Sequence, residues 1–382
     1  MRIVLSAGEA SGDHIGANLA RALHHHHPGI ELAGIAGPAM REAGVRAWYD
    51  IDELNVMGLT EVLRHVPRLF RLRRRMARRI GHWGADAFVG IDAPDFNLGL
   101  ARRLHRAGRT TAIHYVCPSV WAWRAHRIPR IARSLDLLLT LYPFEPALFE
   151  PHGLKACFVG HHLADLLVNA RGKTRARAAL SLDADEEVIA LLPGSRPGEI
   201  QRHARLLGET AEALRHQRPE ARLLVLLADP SHEHALRAGA DGRLERAGVE
   251  ILTRRTRLGL RAASVAVAAS GTVTLEAFLL ECPLVVYYRL PTSTYWLARS
   301  LRLVRSEFVS LPNIMAEREL VPERLQHAAT AERLASDTVA WLDAPDRLTD
   351  YQQTAVEWRE RLATGAGDVA ARRILDCLES RS

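Results

Sequence analysis

The feature that most constrains this chain is an alternation: apolar runs of strand length, separated by longer segments of helical periodicity, recur along nearly its whole length. That alternation builds a mainly parallel sheet with helices on both faces, because parallel neighbours need a helix-length crossover between them. A first series predicts strands at residues 2–7, 31–36, 87–91, 111–116, 137–141 and 156–159; a second predicts them at 188–192, 222–227, 249–252, 265–269 and 284–288. Each series has the size of one doubly wound domain. Residues 161–185 are polar and hold no strand-like run, so the hinge is expected near 165–180. After residue 330 the pattern is helical, ending in an amphipathic helix at 371–378. The expectation is an α/β chain of two Rossmann-like domains with a cleft between them, residues 1–168 and 169–350, followed by helices at 351–382.

Composition narrows the function classes. With 382 residues, 48% hydrophobic and 25% charged, the chain buries ordinary cores, and disorder, collagen-like repeats and an integral membrane bundle are excluded. No stretch approaches the ~18 to 20 apolar residues that span a bilayer, and the opening Met1-Arg2-Ile3-Val4-Leu5 leads into a glycine-rich turn rather than a cleavage region, so a cytoplasmic location is expected. Cys117, Cys157, Cys282 and Cys377 lie far apart and are read as buried thiols, not as a zinc or disulfide framework. The run His24 to His27 is read as a solvated helix end. The net charge of +7 favours an anionic partner: nucleic acid, a membrane surface or a phosphorylated substrate.

Four strand ends carry candidate chemistry. The first strand runs into Gly8-Glu9-Ala10-Ser11-Gly12-Asp13, a strand-to-helix turn that lets a ligand approach the backbone or is simply a tight turn. Its glycine spacing departs from the dinucleotide fingerprint, which argues against NAD. The strand at 87–91 ends in Asp92-Ala93-Pro94-Asp95, where a carboxylate could take a proton from an attacking hydroxyl, or cap the next helix. In the second half Pro193-Gly194-Ser195-Arg196 offers backbone N–H groups and a guanidinium to a diphosphate, although Ser195 with Glu199 could instead cap the helix. Ser270-Gly271-Thr272 repeats the strand–glycine–helix arrangement, with Glu276 one turn further on, where a carboxylate can accept both ribose hydroxyls. Asp183-Ala184-Asp185 has the spacing of a metal–diphosphate motif but lies in a polar run before a strand and is read as a turn. Trp121 and Trp123 alternate on an extended segment and form either an apolar wall beside a substrate or core filling.

Eight arginines and no acidic residue fall between residues 62 and 80; among them Val62, Val66, Leu69, Leu72, Met76 and Ile80 recur at helical spacing, apart from an irregularity near Pro67, with Phe70 beside that stripe. Unbalanced charge beside an apolar stripe suits an anionic membrane, and Arg73 and Arg74 are grouped with that stripe as candidate membrane contacts. A core helix with a solvated basic face is the rival reading. Nucleic acid is disfavoured, since only Phe70 is interleaved for stacking.

Eight strings in order resemble the lipid-A-disaccharide synthase family: GEASGD from Gly8, AGPAM from Ala36, VMGLTEVL from Val56, FVGIDAPDFN from Phe88, IHYVCPSVWAWR from Ile113, LLPGSR from Leu191, ASGTVTLE from Ala269 and VSLPN from Val309. The resemblance implies a GT-B fold whose last helix returns to the first domain, and a metal-independent, inverting transfer without cofactor. UDP-2,3-diacylglucosamine would be the donor and 2,3-diacylglucosamine 1-phosphate the acceptor, at the cytoplasmic face of the inner membrane. It further implies Asp92 as general base, Arg196 as stabiliser of the departing diphosphate, Glu276 as ribose ligand, and Glu9, Ser11 and Asn313 in loops at the cleft. Departures are few: the family often has serine where Cys117 stands, and Gly-His-Thr at Gly160-His161-His162. The nearest alternative is a GT-B enzyme similar to UDP-N-acetylglucosamine 2-epimerase, which needs neither acceptor nor membrane.

Overall fold

The computed structural model describes residues 1–54, 59–121, 125–168, 172–290 and 308–380, except for the side chains of 59–66. The chain divides into two units, Met1–Asp165 with Arg361–Ser382, and Leu166–Glu360. In the first, strands β1 (Arg2–Ala7), β2 (Glu31–Ala36), β3 (Arg46–Asp50), β4 (Ala87–Ile91), β5 (Thr111–Tyr115), β6 (Leu137–Thr140) and β7 (Ala156–Phe158) pair in the order 3-2-1-4-5-6-7. In the second, β8 (Val188–Leu192), β9 (Arg222–Leu227), β10 (Glu250–Thr253), β11 (Val265–Ala269), β12 (Leu284–Tyr288) and β13 (Glu323–Leu325) pair in the order 10-9-8-11-12-13. Neighbouring strands such as β1 and β4, or β8 and β11, run parallel. Both orders reverse direction at one place, between β1 and β4 and between β8 and β11. Ligands of open α/β sheets bind outside the strand ends at such a reversal.

The central strands are buried on both faces and read as continuous apolar runs, which explains their legibility. In unit 1 they are covered by α1 (Ala10–His26), α2 (Pro38–Glu42), α3 (Leu59–Trp83) and α4 (Pro94–Ala107), among others. Ile15, Leu19 and Leu23 recur at four-residue intervals on α1 and are buried. The division falls after Asp165 and after Glu360. The Asp165 carboxylate accepts hydrogen bonds from Gly365 N and Ala366 N at 2.8 and 2.7 Å, anchoring the start of the final helix Ala366–Glu379 in unit 1. Arg359, near the end of the Pro345–Leu362 helix, donates to Leu279 O at 2.9 Å and pairs with Glu281, which holds that helix in unit 2.

The apolar stripe on α3 is divided. Leu72, Met76 and Ile80 are buried in one cluster with Phe88, Phe96, Leu100 and Leu104, so Leu72 and Met76 are core residues and not membrane contacts. Leu69 packs partly against that cluster, whereas Phe70 is 56% exposed and Arg74 is exposed. Arg73 also departs from the membrane-facing expectation. Its guanidinium lies 5.3 Å from the ring centres of both Phe70 and Phe96 and donates to Asp95 O at 2.8 Å. Burial, and then the charge of Arg102, push its pKa down. Gly99 makes room for it, since a Cβ there would lie 2.6 Å from the guanidinium carbon. The side chains of Val62 and Val66 lie outside the described residues. Among the described residues no helix is long and apolar enough to cross a membrane.

Candidate active site

In unit 1 the reversal is flanked by the turn after β1 and the turn after β4. Glu9 and Ser11 are exposed at the start of α1. Gly8 has no substitute here, because an added Cβ would overlap the Ala93 side chain. Asp13 is buried and structural: it accepts from Gly37 N, Ala39 N and Met40 N at 2.9, 2.9 and 3.2 Å, anchoring α2 beside α1. Asp92 follows β4 directly. Its amide donates to Tyr115 O at 3.0 Å, and its φ of 50° is left-handed, as is that of Ala93 at 42°. The N-cap residue of α4 is Ala93, which makes no side-chain cap bond, so neither Asp92 nor Asp95 stands at the N-cap position. Asp95 instead accepts from Arg127 at 3.0 Å.

The indole N–H of Trp121 donates to Glu145 at 3.1 Å, and its ring packs edge-on against Phe144 at 5.7 Å. Trp123 lies outside the described residues. Glu145, which sequence reasoning missed, is buried and also accepts from Leu141 N and Tyr142 N at 3.0 Å each. Burial pushes its carboxyl up to about 7 in spite of those donors. His161 is buried, accepts from Leu163 N at 3.1 Å, and is pushed down to about 3 by burial. The His162 ring stacks on it at 5.4 Å. Of the histidine run at the end of α1, His26 pairs with Asp368 at 2.6 Å.

In unit 2 the reversal is flanked by Gly194-Ser195-Arg196 and Ser270-Gly271-Thr272. Gly194 sits at φ 111°, a backbone that favours glycine, and Arg196 caps the Pro197–Gln217 helix. The N–H groups expected to face a diphosphate point at a carboxylate: Ser195 N and Arg196 N lie 3.3 and 3.4 Å from Glu199 Oε2, while Tyr288 donates to Glu199 Oε1 at 3.1 Å. The Arg196 side chain is 67% exposed, 3.8 Å from the same carboxylate. His203, also unforeseen, braces this loop from a buried position. Its Nδ1 donates to Pro193 O at 2.8 Å while Nε2 accepts from Arg289 N at 3.4 Å, an arrangement that requires the Nδ1–H tautomer.

At the second turn Ser270 N donates to Tyr287 O at 2.9 Å, and Thr272 opens the Thr272–Leu279 helix. Glu276 lies one turn in, its Oε1 accepting from Arg257 at 2.6 Å. Asn313 contradicts its expected place at a substrate surface. It is fully buried; Nδ2 donates to Val321 O and Glu323, and Oδ1 accepts from Leu320 N and Val321 N, which spends the capacity of its amide on bracing the Leu311–Ala316 helix against β13.

Two Rossmann-like units, each built on a parallel sheet, give the GT-B fold. A UDP-GlcNAc 2-epimerase from Neisseria meningitidis bound to UDP-GlcNAc is similar with a TM-score of 0.67 and 12% identity, over 98% of this chain and 100% of that one. An Anabaena protein in complex with UDP and glucose is similar with a TM-score of 0.54 and 12% identity, over all of both chains. At such identities the likeness shows the fold. In sequence, the chain is 45% identical over 382 residues to the lipid-A-disaccharide synthase of Alkalilimnicola ehrlichii, covering 98% of each. It is 40% identical over 376 residues to that of Serratia proteamaculans, again covering 98% of each. The family profile described as lipid-A-disaccharide synthetase matches residues 3–368. The chain belongs to the lipid-A-disaccharide synthase family and is a glycosyltransferase.

Proposed function

We propose that this enzyme transfers the diacylglucosaminyl group of UDP-2,3-diacylglucosamine to the 6-hydroxyl of 2,3-diacylglucosamine 1-phosphate, releasing UDP and forming a β-1,6-linked disaccharide 1-phosphate. The observation that carries this reading is the family match across residues 3–368. Asp92, at the strand reversal of unit 1, takes the proton from the acceptor hydroxyl. The freed oxygen attacks the donor's anomeric carbon from the face opposite UDP, the bond to the diphosphate breaks, and the configuration inverts. In unit 2, Arg196 neutralises the charge that builds on the departing diphosphate, Gly194, Ser195 and the Ser270-Gly271-Thr272 turn supply backbone contacts, and Glu276 binds the ribose hydroxyls. On this reading helix N-termini and a guanidinium take the part that a cation plays in other transferases, and the reaction needs no metal ion. Exposed Phe70 with exposed Arg71, Arg74, Arg75 and Arg78 on α3 supports peripheral binding to an anionic membrane, which we place at the cytoplasmic face of the inner membrane.

Incubation with both lipid sugars, with and without EDTA, tests this reading, following UDP release and product mass. Disaccharide phosphate and UDP in equal amounts are expected under both conditions. A strict magnesium requirement would overturn the metal-free account. Epimerisation of UDP-N-acetylglucosamine without any transfer would overturn the reaction and favour the epimerase-like alternative.

A further inference from the structure

The turn that carries Asp92 is held in a conformation its residues do not favour. Asp92 and Ala93 are consecutive non-glycine residues at φ 50° and 42°, and a left-handed backbone carries a steric cost for any residue with a Cβ. A glycine at either place would remove that cost, so some interaction must hold the turn.

One side chain does so. Asn97, one turn into α4 and fully buried, donates through Nδ2 to Asp92 O at 2.9 Å, Ser6 O at 3.0 Å and Ile91 O at 3.2 Å, two hydrogens serving three carbonyls. Its Oδ1 accepts from the Ser6 hydroxyl at 2.8 Å. Asn97 thus ties the ends of β1 and β4, the two strands flanking the reversal, to the carbonyl of Asp92 itself. The neighbourhood is built around it. An added Cβ at Gly90 would lie 2.7 Å from Asn97 Cβ and 3.1 Å from the buried His114 ring, so the bare backbone of β4 is what lets the amide reach all three carbonyls. Asparagine is a poor helix former because its amide competes for backbone groups, and here that competition is used.

We propose that Asn97 is a positioning residue, whose amide holds residues 92 and 93 in their left-handed turn and thereby aims the Asp92 carboxylate. This rests on the assignment of Asp92 as general base. Misplacing a reacting group by about 1 Å can cost 100-fold in rate. In the purified full-length enzyme, Asn97→Ala is therefore expected to lower kcat about 10- to 100-fold, with KM for both lipid sugars and the Kd of UDP within about twofold of wild type. Adding Ala93→Gly, which removes one left-handed cost, is expected to recover a substantial part of the lost kcat.

A merely structural role would lower the melting temperature and leave the kcat of the folded enzyme unchanged, and that result overturns the proposal. So does a kcat loss that Ala93→Gly leaves untouched. Should Asn97→Ala not fold, Asn97→Ser carries the same expectations. Asp92→Ala, measured alongside, separates the two claims: full activity there defeats the base assignment, whereas an inactive Asp92→Ala beside a fully active Asn97→Ala defeats only the positioning role.

Discussion

Replacing Arg196 by alanine separates the chemistry of unit 2 from its folding. The Arg196 side chain is 67% exposed, and its guanidinium stands 3.8 Å from Glu199. An exposed ion pair of that kind contributes about 0.2–1 kcal/mol. In a domain of this size 1 kcal/mol moves the melting temperature by about 2–4 °C, so the variant should melt within a few degrees of the parent. If the guanidinium meets charge that develops on the leaving diphosphate, its loss costs about 2.7–4 kcal/mol in the transition state, or 100- to 1,000-fold in kcat. Because that interaction belongs to the transition state, kcat and kcat/KM should fall together. Arg196→Lys should recover only part of the rate, since a point charge lacks the planar fork. UDP release by the purified enzyme, paired with a circular dichroism melt, reads both quantities. A rate within tenfold of wild type at unchanged stability refutes the assigned role, and a rate loss tracking a collapse in stability refutes the separation.

Glu199→Gln removes the charge facing the Ser195 and Arg196 amides while keeping an acceptor for them, so UDP should bind several-fold more tightly by calorimetry; weaker binding would show that the carboxylate assists the ligand. Met76→Ala should cost roughly 2–5 kcal/mol of stability as a core truncation, whereas Phe70→Ser should leave the melt unchanged and reduce binding to anionic vesicles; the reverse pattern would undo the division of the α3 stripe. Glu145 has a folded pKa raised to about 7 by burial, so the native state binds the extra proton, and stability should fall as pH rises from the ordinary carboxylate range through 7, at up to about 1.4 kcal/mol per pH unit. Urea melts of wild type and Glu145→Gln across pH 4 to 8 should differ by that slope, and parallel curves would contradict the raised value.

Most of the architecture was legible because parallel strands buried on both faces announce themselves as unbroken apolar runs. The strands that escaped notice, β3 and β13, lie at sheet edges and carry Arg46 and Asp50, or Glu323 and Arg324, where an interior strand would hold aliphatic residues. Asp92 and Arg196 were visible because each follows an obvious strand. The residues that brace them were not. Asn97 and His203 look like ordinary polar positions until the backbone carbonyls they reach are brought near by folding, and the one available hint was a polar residue on the apolar face of a helix. Asn313 failed in the opposite direction: its place in a matching string suggested a ligand contact, and only its saturated amide shows otherwise. For α3, the spacing marked an apolar stripe but not the surface it serves: Leu72, Met76 and Ile80 on that spacing pack in the core, and Phe70, off it, is exposed.

Residues 1–165 and 361–382 belong to the same unit, with Ala366–Glu379 laid beside α1 and His26 paired to Asp368. During synthesis, therefore, the body begun by residues 1–165 stays unfinished while nearly 200 intervening residues, Leu166–Glu360, leave the ribosome. Cutting the chain after Glu360, or tethering its far end to a bulky fusion, should injure the half made first rather than the half made last.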